Sequence, residues 1–403
     1  MTTRHPPTHN DFASRVRVMI AVARPPVMML LAMYAATGLA AAGGDVGSPL
    51  ALLPALIAVA GFLVYSVSLN DLADVDIDRI NLANRLDRPL VTGAGGRSEL
   101  VATAAVGAIV ALGAASSVGL PALAVCAAGL AVSAAYSLKP MRLSARGAVA
   151  SLVLPACYVA VPYLIGVLST SARLDSADLV LLGALYVGFI GRILLKDFRD
   201  VRGDALFGKR TFLVRHGRRA TCRFAAVGWI GGTALTVFAM SMRGPLAIGL
   251  IASYAAALAG VIAMLGALAI DRGPRRDELL VSAIAIVGRG QLLVLLASLS
   301  MALRPQALVS PLVAALAIVA AGQTVKMLRR GPVMRHTVPE EWLGRAAATA
   351  GPDALEQPTK RSQRGEHADV GGGRRSEVER GVGGRHRQVL ITFAPEDRVR
   401  VGS

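Results

Sequence analysis

The chain has 403 residues, of which 54% are hydrophobic and 4% aromatic. Several uncharged apolar stretches reach the roughly 20 residues that cross a bilayer core, which excludes an ordinary soluble domain. The formal net charge of +17 would suit a nucleic-acid partner, but Lys and Arg lie between the apolar stretches, so no nucleic-acid partner is predicted.

A polar, basic lead-in over residues 1–24 is followed by a predicted transmembrane domain at 25–330. The domain contains ten apolar runs, at 27–43, 50–69, 100–118, 120–136, 147–168, 178–195, 222–241, 245–269, 279–302 and 306–327. They predict an all-α, polytopic bundle of nine to ten transmembrane helices. Residues 331–403 are rich in Arg, Gly, Glu, Pro and Ser and predict a basic, disordered cytoplasmic tail.

Basic residues concentrate in alternate connections, before the first run and after the second, fourth, sixth, eighth and tenth runs. The connections near Gly119 and at 169–176 are nearly free of them. By the positive-inside rule, this asymmetry predicts a multi-pass protein of the inner (plasma) membrane with a cytoplasmic amino terminus.

The second apolar run ends in the acidic sequence N-D-L-A-D-V-D-I-D, from Asn70 to Asp78. In a helix, Asn70, Asp74 and Asp78 recur every four residues, and Asp71 lies three before Asp74, so these side chains share a face. Such a cluster at a membrane edge requires a compensating cation, and oxygen ligands suit Mg²⁺. Asp76 points elsewhere and is expected to be solvated.

A second acidic motif follows the sixth run, from Lys196 to Thr211, with Asp197, Asp200 and Asp204 at i, i+3 and i+7. Interleaved basic residues could hold diphosphate oxygens; they are Lys196, Arg199, Arg202, Lys209 and Arg210. One acidic helix end alone is more typical of a solvated face. Two of them, four helices apart, predict a parallel pseudo-repeat that brings both motifs to one side of the membrane.

A third stretch, Y-S-L-K-P-M-R-L-S from Tyr136 to Ser144, ends the fourth run on the same side. Alone, Lys139 and Arg142 would be positive-inside anchors and Tyr136 an interface aromatic residue. Beside the two acidic motifs, the stretch predicts a third wall of an anion pocket.

Together the three stretches resemble the UbiA-type intramembrane prenyltransferase family, whose first motif has the form NDxxDxxxD. The resemblance covers about residues 20–330. The second stretch is similar to the KDxxDxxGDxxxGxxT form of members that prenylate homogentisate, chlorophyllide or glycerol-phosphate lipids, matching at Lys196, Asp197, Asp200, Gly203, Asp204, Gly208 and Thr211. Three departures stand out. Tyr136 and Lys139 are three apart where the family often has Y-x-x-x-K, the segment from Asp78 to Arg88-Pro89 is a few residues longer than usual, and ten runs exceed the usual nine helices.

The resemblance implies a bundle around a central cavity that binds Mg²⁺ and a polyprenyl diphosphate and transfers the prenyl group to an aromatic or lipid acceptor. The implied metal ligands are Asn70, Asp71, Asp74, Asp78, Asp197, Asp200 and Asp204. Asp74, Asp78, Asp197 and Asp200 would carry the catalysis. The implied diphosphate-binding residues are Arg88, Tyr136, Lys139, Arg142, Lys196 and Lys209.

Two other functions are also compatible with the sequence. Phosphoribosyl transfer to a polyprenyl phosphate uses the same metal-bound diphosphate chemistry and is an implied alternative within the family. A secondary transporter is the alternative from another class, because intramembrane charges often mark ion pathways. Against transport, the acidic groups lie at helix ends, and only Arg192 and Arg289 clearly interrupt the apolar runs.

Overall fold

The structure is a computed structural model that describes residues 20, 22–81, 88–93, 95–170, 174–206, 210–303 and 311–329. Regular structure in these residues is entirely helical. The helices are α1 Pro25–Ala41, α2 Pro49–Ala73, α3 Val75–Asn81, α4 Pro89–Thr92, α5 Arg97–Val118, α6 Leu120–Ser137, α7 Ala148–Pro155, α8 Val161–Leu168, α9 Ser176–Ile193, α10 Asp197–Leu206, α11 Phe212–Ser241, α12 Ile248–Leu268, α13 Pro274–Leu303 and α14 Pro311–Arg329.

Three short turns complete the helical path. The 3₁₀ turn Leu143–Ala145 precedes α7, the π-helical segment Ala156–Ala160 joins α7 to α8, and the 3₁₀ turn Leu194–Lys196 joins α9 to α10. Pro155 lies in the last turn of α7, immediately before the π segment. Because proline lacks an N–H donor, the break in regular hydrogen bonding falls where the sequence cannot sustain an α-helix.

Eight helical segments in the described part of the chain are long and apolar enough to cross a bilayer, and α1 and residues Val313–Val325 form shorter apolar helices. Each of the ten predicted apolar runs overlaps one or more of these helices, and residues 306–310 of the last run lie outside the described residues. The prediction of an all-α, multi-pass bundle is confirmed. The predicted tail at 331–403 and residues 1–19 of the lead-in lie outside the described residues.

Helix starts follow the local sequence. Proline stands in the first helical turn of α1, α2, α13 and α14, where its missing N–H costs nothing. The Asp175 side chain caps α9 by accepting a hydrogen bond from the Asp178 backbone N–H at 2.6 Å. The Thr211 hydroxyl accepts from the Val214 N–H at 3.5 Å and begins α11 directly after the second acidic motif.

Small residues allow helix pairs to pack closely. A Cβ on Gly166 in α8 would overlap the Ala35 carbonyl of α1, and a Cβ on Gly38 would overlap the Tyr163 carbonyl in return. Facing glycines also bring other helix pairs together. Gly61 and Gly107 do so between α2 and α5, and α9 packs closely on α11 at Gly188, Gly191, Gly228 and Gly232. In lipid such close approach is a main source of helix association.

Substitution of Gly166 by Ala is therefore expected to lower the thermal stability of the detergent-solubilised protein by several degrees. The added methyl group meets fixed backbone atoms rather than a side chain that can move, and such overpacking typically costs about 1–3 kcal/mol. Gly260→Ala in α12 is the matched control, because nothing lies within 4 Å of its added Cβ. Equal melting temperatures for the two variants would contradict the close α1–α8 contact.

The end of the bundle away from the acidic motifs is closed by a buried ion pair. Arg243, just after α11, donates to Asp178 Oδ1 of α9 at 2.6 Å and to the Ala41 carbonyl at the end of α1 at 2.7 Å. Tyr163 of α8 donates to the Asp178 carbonyl at 3.2 Å. Four helices are thus tied together by one Asp and one Arg, which fixes the bundle at the end opposite the candidate site.

Candidate active site

The first acidic motif lies at a bend between α2 and α3. Asp74 leaves helical geometry, at φ −109° and ψ 17°, so the predicted continuous helix over the motif is interrupted. The hydrogen bonds Asp74 N–H to Asn70 O (2.9 Å) and Asp78 N–H to Asp74 O (2.8 Å) continue across the bend. Helical spacing therefore survives, and Asp71, Asp74 and Asp78 are all buried on one side.

Three arginines from distant parts of the sequence neutralise this motif. Arg24 and Arg88 both form ion pairs with Asp71, and Arg88 also lies 3.1 Å from Asp78 Oδ2.

The third of these arginines is Arg142, which donates to Asp74 Oδ1 at 2.9 Å and to the Ala73 carbonyl at 3.3 Å. Asn70 donates to Asp74 Oδ2 at 3.1 Å. The repulsion among the carboxylates is thereby offset by the buried Arg88 and the half-buried Arg24 and Arg142.

Burial raises the pKa of the Asp78 carboxyl to about 6, against the lowering effect of Arg88. The neighbouring carboxylates of Asp71 and Asp74 raise it further. The charged form of Asp78 is thus costly, and added positive charge would favour it. Asp76, in contrast, is exposed, and its ion pair among the described residues is with Arg79, three residues later.

The oxygen atoms of the first motif are suitable ligands for a hard cation such as Mg²⁺. It offers carboxylate and amide oxygens, and Asp71 Oδ2 is buried without accepting a hydrogen bond from the described residues. Within the described part of the chain, no group of three His, Cys, Asp or Glu side chains is already arranged around a metal position. The carboxylates of Asp71, Asp74 and Asp78 each face an arginine instead.

The second acidic motif and the stretch from Tyr136 to Ser144 line one cavity together. Lys196, Asp197 and Asp204 contribute from the end of α9 and from α10, together with Thr211. Tyr136, Ser144 and Gly147 complete the lining from the opposite side. Asp204 is buried, and Asp197 is partly buried. The side chain of Asp200 and all of Lys209 lie outside the described residues.

The α6–α7 connection joins the two motifs. Arg142, in left-handed geometry at φ 35°, reaches Asp74, while Tyr136 and Ser144 on either side line the cavity with Asp197. Gly147 has φ +58°, and a Cβ there would lie 2.9 Å from the Arg210 carbonyl, so glycine permits this close approach. One short loop therefore contacts both acidic motifs.

Not every predicted basic residue reaches this region. Lys139 is exposed, and no ion pair joins it to a described carboxylate. Arg199 instead donates to Ser282 Oγ of α13 at 2.8 Å. Arg24, one of the basic residues before the first apolar run, pairs with Asp71. Their separation of 47 positions leaves no local sequence signal for that contact.

A bidentate ion pair between Arg218 and Asp277 lies next to the start of α10. Arg218 of α11 holds the Asp277 carboxylate with both terminal nitrogens, at 2.8 and 2.5 Å, and donates to the Leu268 carbonyl at 2.8 Å. Its guanidinium carbon lies 5.1 Å from the centre of the Phe198 ring. Because Phe198 follows Asp197, this clamp fixes the start of α10.

Comparison with known proteins identifies the family. The sequence model of the UbiA prenyltransferase family matches residues 30–287, a stretch that contains both acidic motifs. A digeranylgeranylglyceryl phosphate synthase from Methanoculleus marisnigri is 30% identical over 229 residues, which are 55% of this chain and 76% of that protein. Chlorophyll synthase from Arabidopsis thaliana is 29% identical over 181 residues. Those residues are 43% of this chain, which thus spans 45% of the length of that relative.

Solved structures share the fold. A structure described as digeranylgeranylglyceryl phosphate synthase in membranes superposes with a TM-score of 0.56 at 17% identity, over 71% of this chain and 99% of that one. A UbiA homologue from Archaeoglobus fulgidus bound to DMAPP and Mg²⁺ gives 0.52 at 14% identity, over 72% and 99%. With its apolar helices and this match, the chain is an integral membrane protein of the UbiA prenyltransferase family.

Proposed function

We propose that the chain transfers a polyprenyl group from a polyprenyl diphosphate to an aromatic or other small acceptor, in a reaction that depends on Mg²⁺. The relatives support this assignment, because they include chlorophyll synthase and digeranylgeranylglyceryl phosphate synthase, and one structure of similar fold binds DMAPP and Mg²⁺. On this proposal, the site opens at the cytoplasmic face of the inner membrane.

The observation that carries the proposal is the α6–α7 loop between the two acidic motifs. Arg142 contacts the first motif, and Tyr136 faces the second across a cavity lined by Lys196 and Asp197. A diphosphate has two negatively charged phosphate groups. Cations on both sides of the site could bind them directly, and the carboxylates on both sides could bind them through Mg²⁺.

When Mg²⁺ and the diphosphate bind, the carboxylates and the basic residues would exchange partners, and no buried charge would be left unpaired. Carboxylates of both motifs would hold Mg²⁺, from Asp71, Asp74 and Asp78 on one side and Asp197, Asp200 and Asp204 on the other, with Asn70 as a neutral ligand. Arg88 and Arg142, freed from their carboxylates, would donate to phosphate oxygens, joined by Lys196. Every buried charge then keeps an opposite partner.

The reaction breaks the bond between C1 of the prenyl chain and the bridging oxygen, and the electron pair leaves with the diphosphate. Mg²⁺, when bound, supplies positive charge that stabilises this leaving group. Arg88, Arg142 and Lys196 would stabilise the same charge by donating hydrogen bonds to the phosphate oxygens. The acceptor then forms a bond to C1 and loses a proton, while the surrounding apolar helices keep water from the allylic cation.

The proposal is tested with the full chain in nanodiscs, supplied with labelled geranylgeranyl diphosphate and a panel of aromatic and lipid acceptors. With Mg²⁺ we expect diphosphate release and a prenylated product, and with EDTA neither. Release that is unaffected by EDTA would contradict the metal dependence.

Two results would replace the proposal by another function. A product that forms only from phosphoribosyl diphosphate and polyprenyl phosphate would assign phosphoribosyl transfer. Proton- or sodium-coupled uptake of an unchanged solute into vesicles, without diphosphate release, would assign transport.

A further inference from the structure

Exposed arginines surround the ion pair between Arg218 and Asp277, at the end of the bundle that carries the acidic motifs. Arg218 also lies 3.4 Å from Asp271 Oδ1, so the start of α11 meets the connection between α12 and α13 at this point. Five exposed arginines are next to these three residues in the sequence or within about one turn of them. They are Arg219 and Arg223 of α11, Arg272 of the α12–α13 connection, and Arg275 and Arg276 in the first turn of α13. We call them the five-arginine surface.

The acidic residues of this corner do not neutralise the five-arginine surface. Asp271 and Asp277 both face Arg218, and Glu278 is buried. Arg275 and Arg276 also lie at the positive end of the α13 dipole, which adds to the repulsion. Among the described residues, the corner therefore presents an excess of positive charge that a bound anion would offset.

Exposed apolar side chains continue from the arginines along the same helices. Phe224, Val227 and Ile230 follow Arg223 on α11, and each is at least half exposed. Leu279 is exposed one turn after Arg275 on α13. In a helix that crosses a bilayer, such apolar side chains contact acyl chains, and basic residues one turn nearer the helix end lie at the level of the lipid headgroups.

The arginines form two groups on either side of Arg218. Arg219 and Arg223 are one helical turn apart on α11 and form the first group. The second group belongs to α13 and the connection before it. Basic surfaces between transmembrane helices bind acidic headgroups, and two separate groups of guanidiniums match two phosphate groups in one lipid.

We propose that the five-arginine surface binds an acidic phospholipid with two phosphate groups, a diphosphatidylglycerol, with one phosphate on each group of arginines. The acyl chains of this lipid would lie along Phe224 and Val227. Because Arg218 also contacts the Phe198 ring of α10, a lipid bound around Arg218 would stabilise the start of α10. The proposal does not depend on prenyl transfer.

Lipid binding can be measured by native mass spectrometry of the full chain in a neutral detergent. Diphosphatidylglycerol, phosphatidylglycerol and phosphatidylcholine are titrated separately. We expect an apparent Kd for diphosphatidylglycerol at least about tenfold below that of either other lipid, because it places a phosphate on both groups of arginines. Equal Kd values for diphosphatidylglycerol and phosphatidylglycerol would refute the two-phosphate site, and equal values for phosphatidylcholine would refute any recognition of acidic lipid.

Two double variants test the two groups of arginines separately. They are Arg219→Gln with Arg223→Gln, and Arg272→Gln with Arg276→Gln. Each arginine beside an acidic lipid contributes roughly fivefold to binding, so each double variant should bind diphosphatidylglycerol about thirtyfold more weakly. Unchanged binding in either double variant would show that its group of arginines does not hold a phosphate.

A third double variant, Arg97→Gln with Arg146→Gln, is the charge-matched control. Both residues are exposed at the same end of the bundle but lie outside the five-arginine surface, so the Kd should change less than about twofold. Melting temperatures without lipid should stay within about 2 °C of the wild type in all three variants, because exposed substitutions rarely change stability further. Equal losses of lipid binding in all three would indicate a response to net charge alone and contradict a specific site.

Inorganic diphosphate carries similar oxyanions without acyl chains. We expect it not to displace diphosphatidylglycerol when added at equal concentration, because it cannot contact the apolar side chains beside the arginines. Displacement would make the five-arginine surface a site for a soluble anion, and the lipid assignment would be wrong. The assay contains neither Mg²⁺ nor prenyl diphosphate, so its result is independent of prenyl transfer.

Discussion

Replacement of Asp74 or Asp197 by Ala is expected to reduce prenyl transfer at least about a thousandfold, equivalent to roughly 4 kcal/mol of transition-state stabilisation. Asp74 is buried at the bend of the first motif and contacts both Asn70 and Arg142. Asp197 lines the cavity opposite Tyr136. Loss of either carboxylate removes a proposed metal ligand and leaves nearby cations unbalanced.

Asp76→Ala is the matched control for this experiment. Asp76 belongs to the same motif but is exposed, and among the described residues it forms an ion pair with Arg79, so activity should stay within about threefold of the wild type. Asp74→Asn tests folding separately, because the amide keeps the size of the side chain and can still accept hydrogen bonds. A well-folded Asp74→Asn protein with normal turnover would refute the assignment.

Arg142→Met is expected to lower the rate of diphosphate release about a hundredfold, whereas Lys139→Met should change it less than about threefold. Both cations belong to the α6–α7 loop, but Arg142 contacts Asp74 and Ala73, while Lys139 is exposed. A guanidinium fixed on the first motif is positioned to stabilise the leaving diphosphate, whereas an exposed ammonium is screened by water.

Single-turnover measurement of diphosphate release distinguishes the two variants. Comparable losses in Arg142→Met and Lys139→Met would show that the loop acts only through its total charge. A defect confined to Lys139→Met would show that the loop rearranges when substrate binds, contrary to the described pairing of Arg142 with Asp74.

The sequence predicts the helices and the acidic motifs well because both depend on local patterns. Apolar runs of membrane-spanning length specify the helices, and four-residue spacing places Asp74 and Asp78 on one face. Local patterns do not predict the bend at Asp74, because residues 70–78 contain no proline or glycine that would mark it.

Contacts between distant residues could not be predicted in the same way. Arg24 is separated from Asp71 by 47 residues, and Arg142 from Asp74 by 68. Arg192 and Arg289 stand out in the sequence as interruptions of apolar runs, but only the folded bundle brings them near each other. Which cation faces which carboxylate depends on the order in which helices pack.

The central claim, that both acidic motifs form one diphosphate site, is tested most directly by Mg²⁺-dependent binding of a non-reactive geranylgeranyl thiolodiphosphate to four proteins. These are the wild type, Asp74→Asn, Asp197→Asn and the double variant. One shared site predicts that the double variant binds about as weakly as either single variant, because each change already disrupts the same site. Losses that add in free energy, as for two independent sites, would contradict the claim.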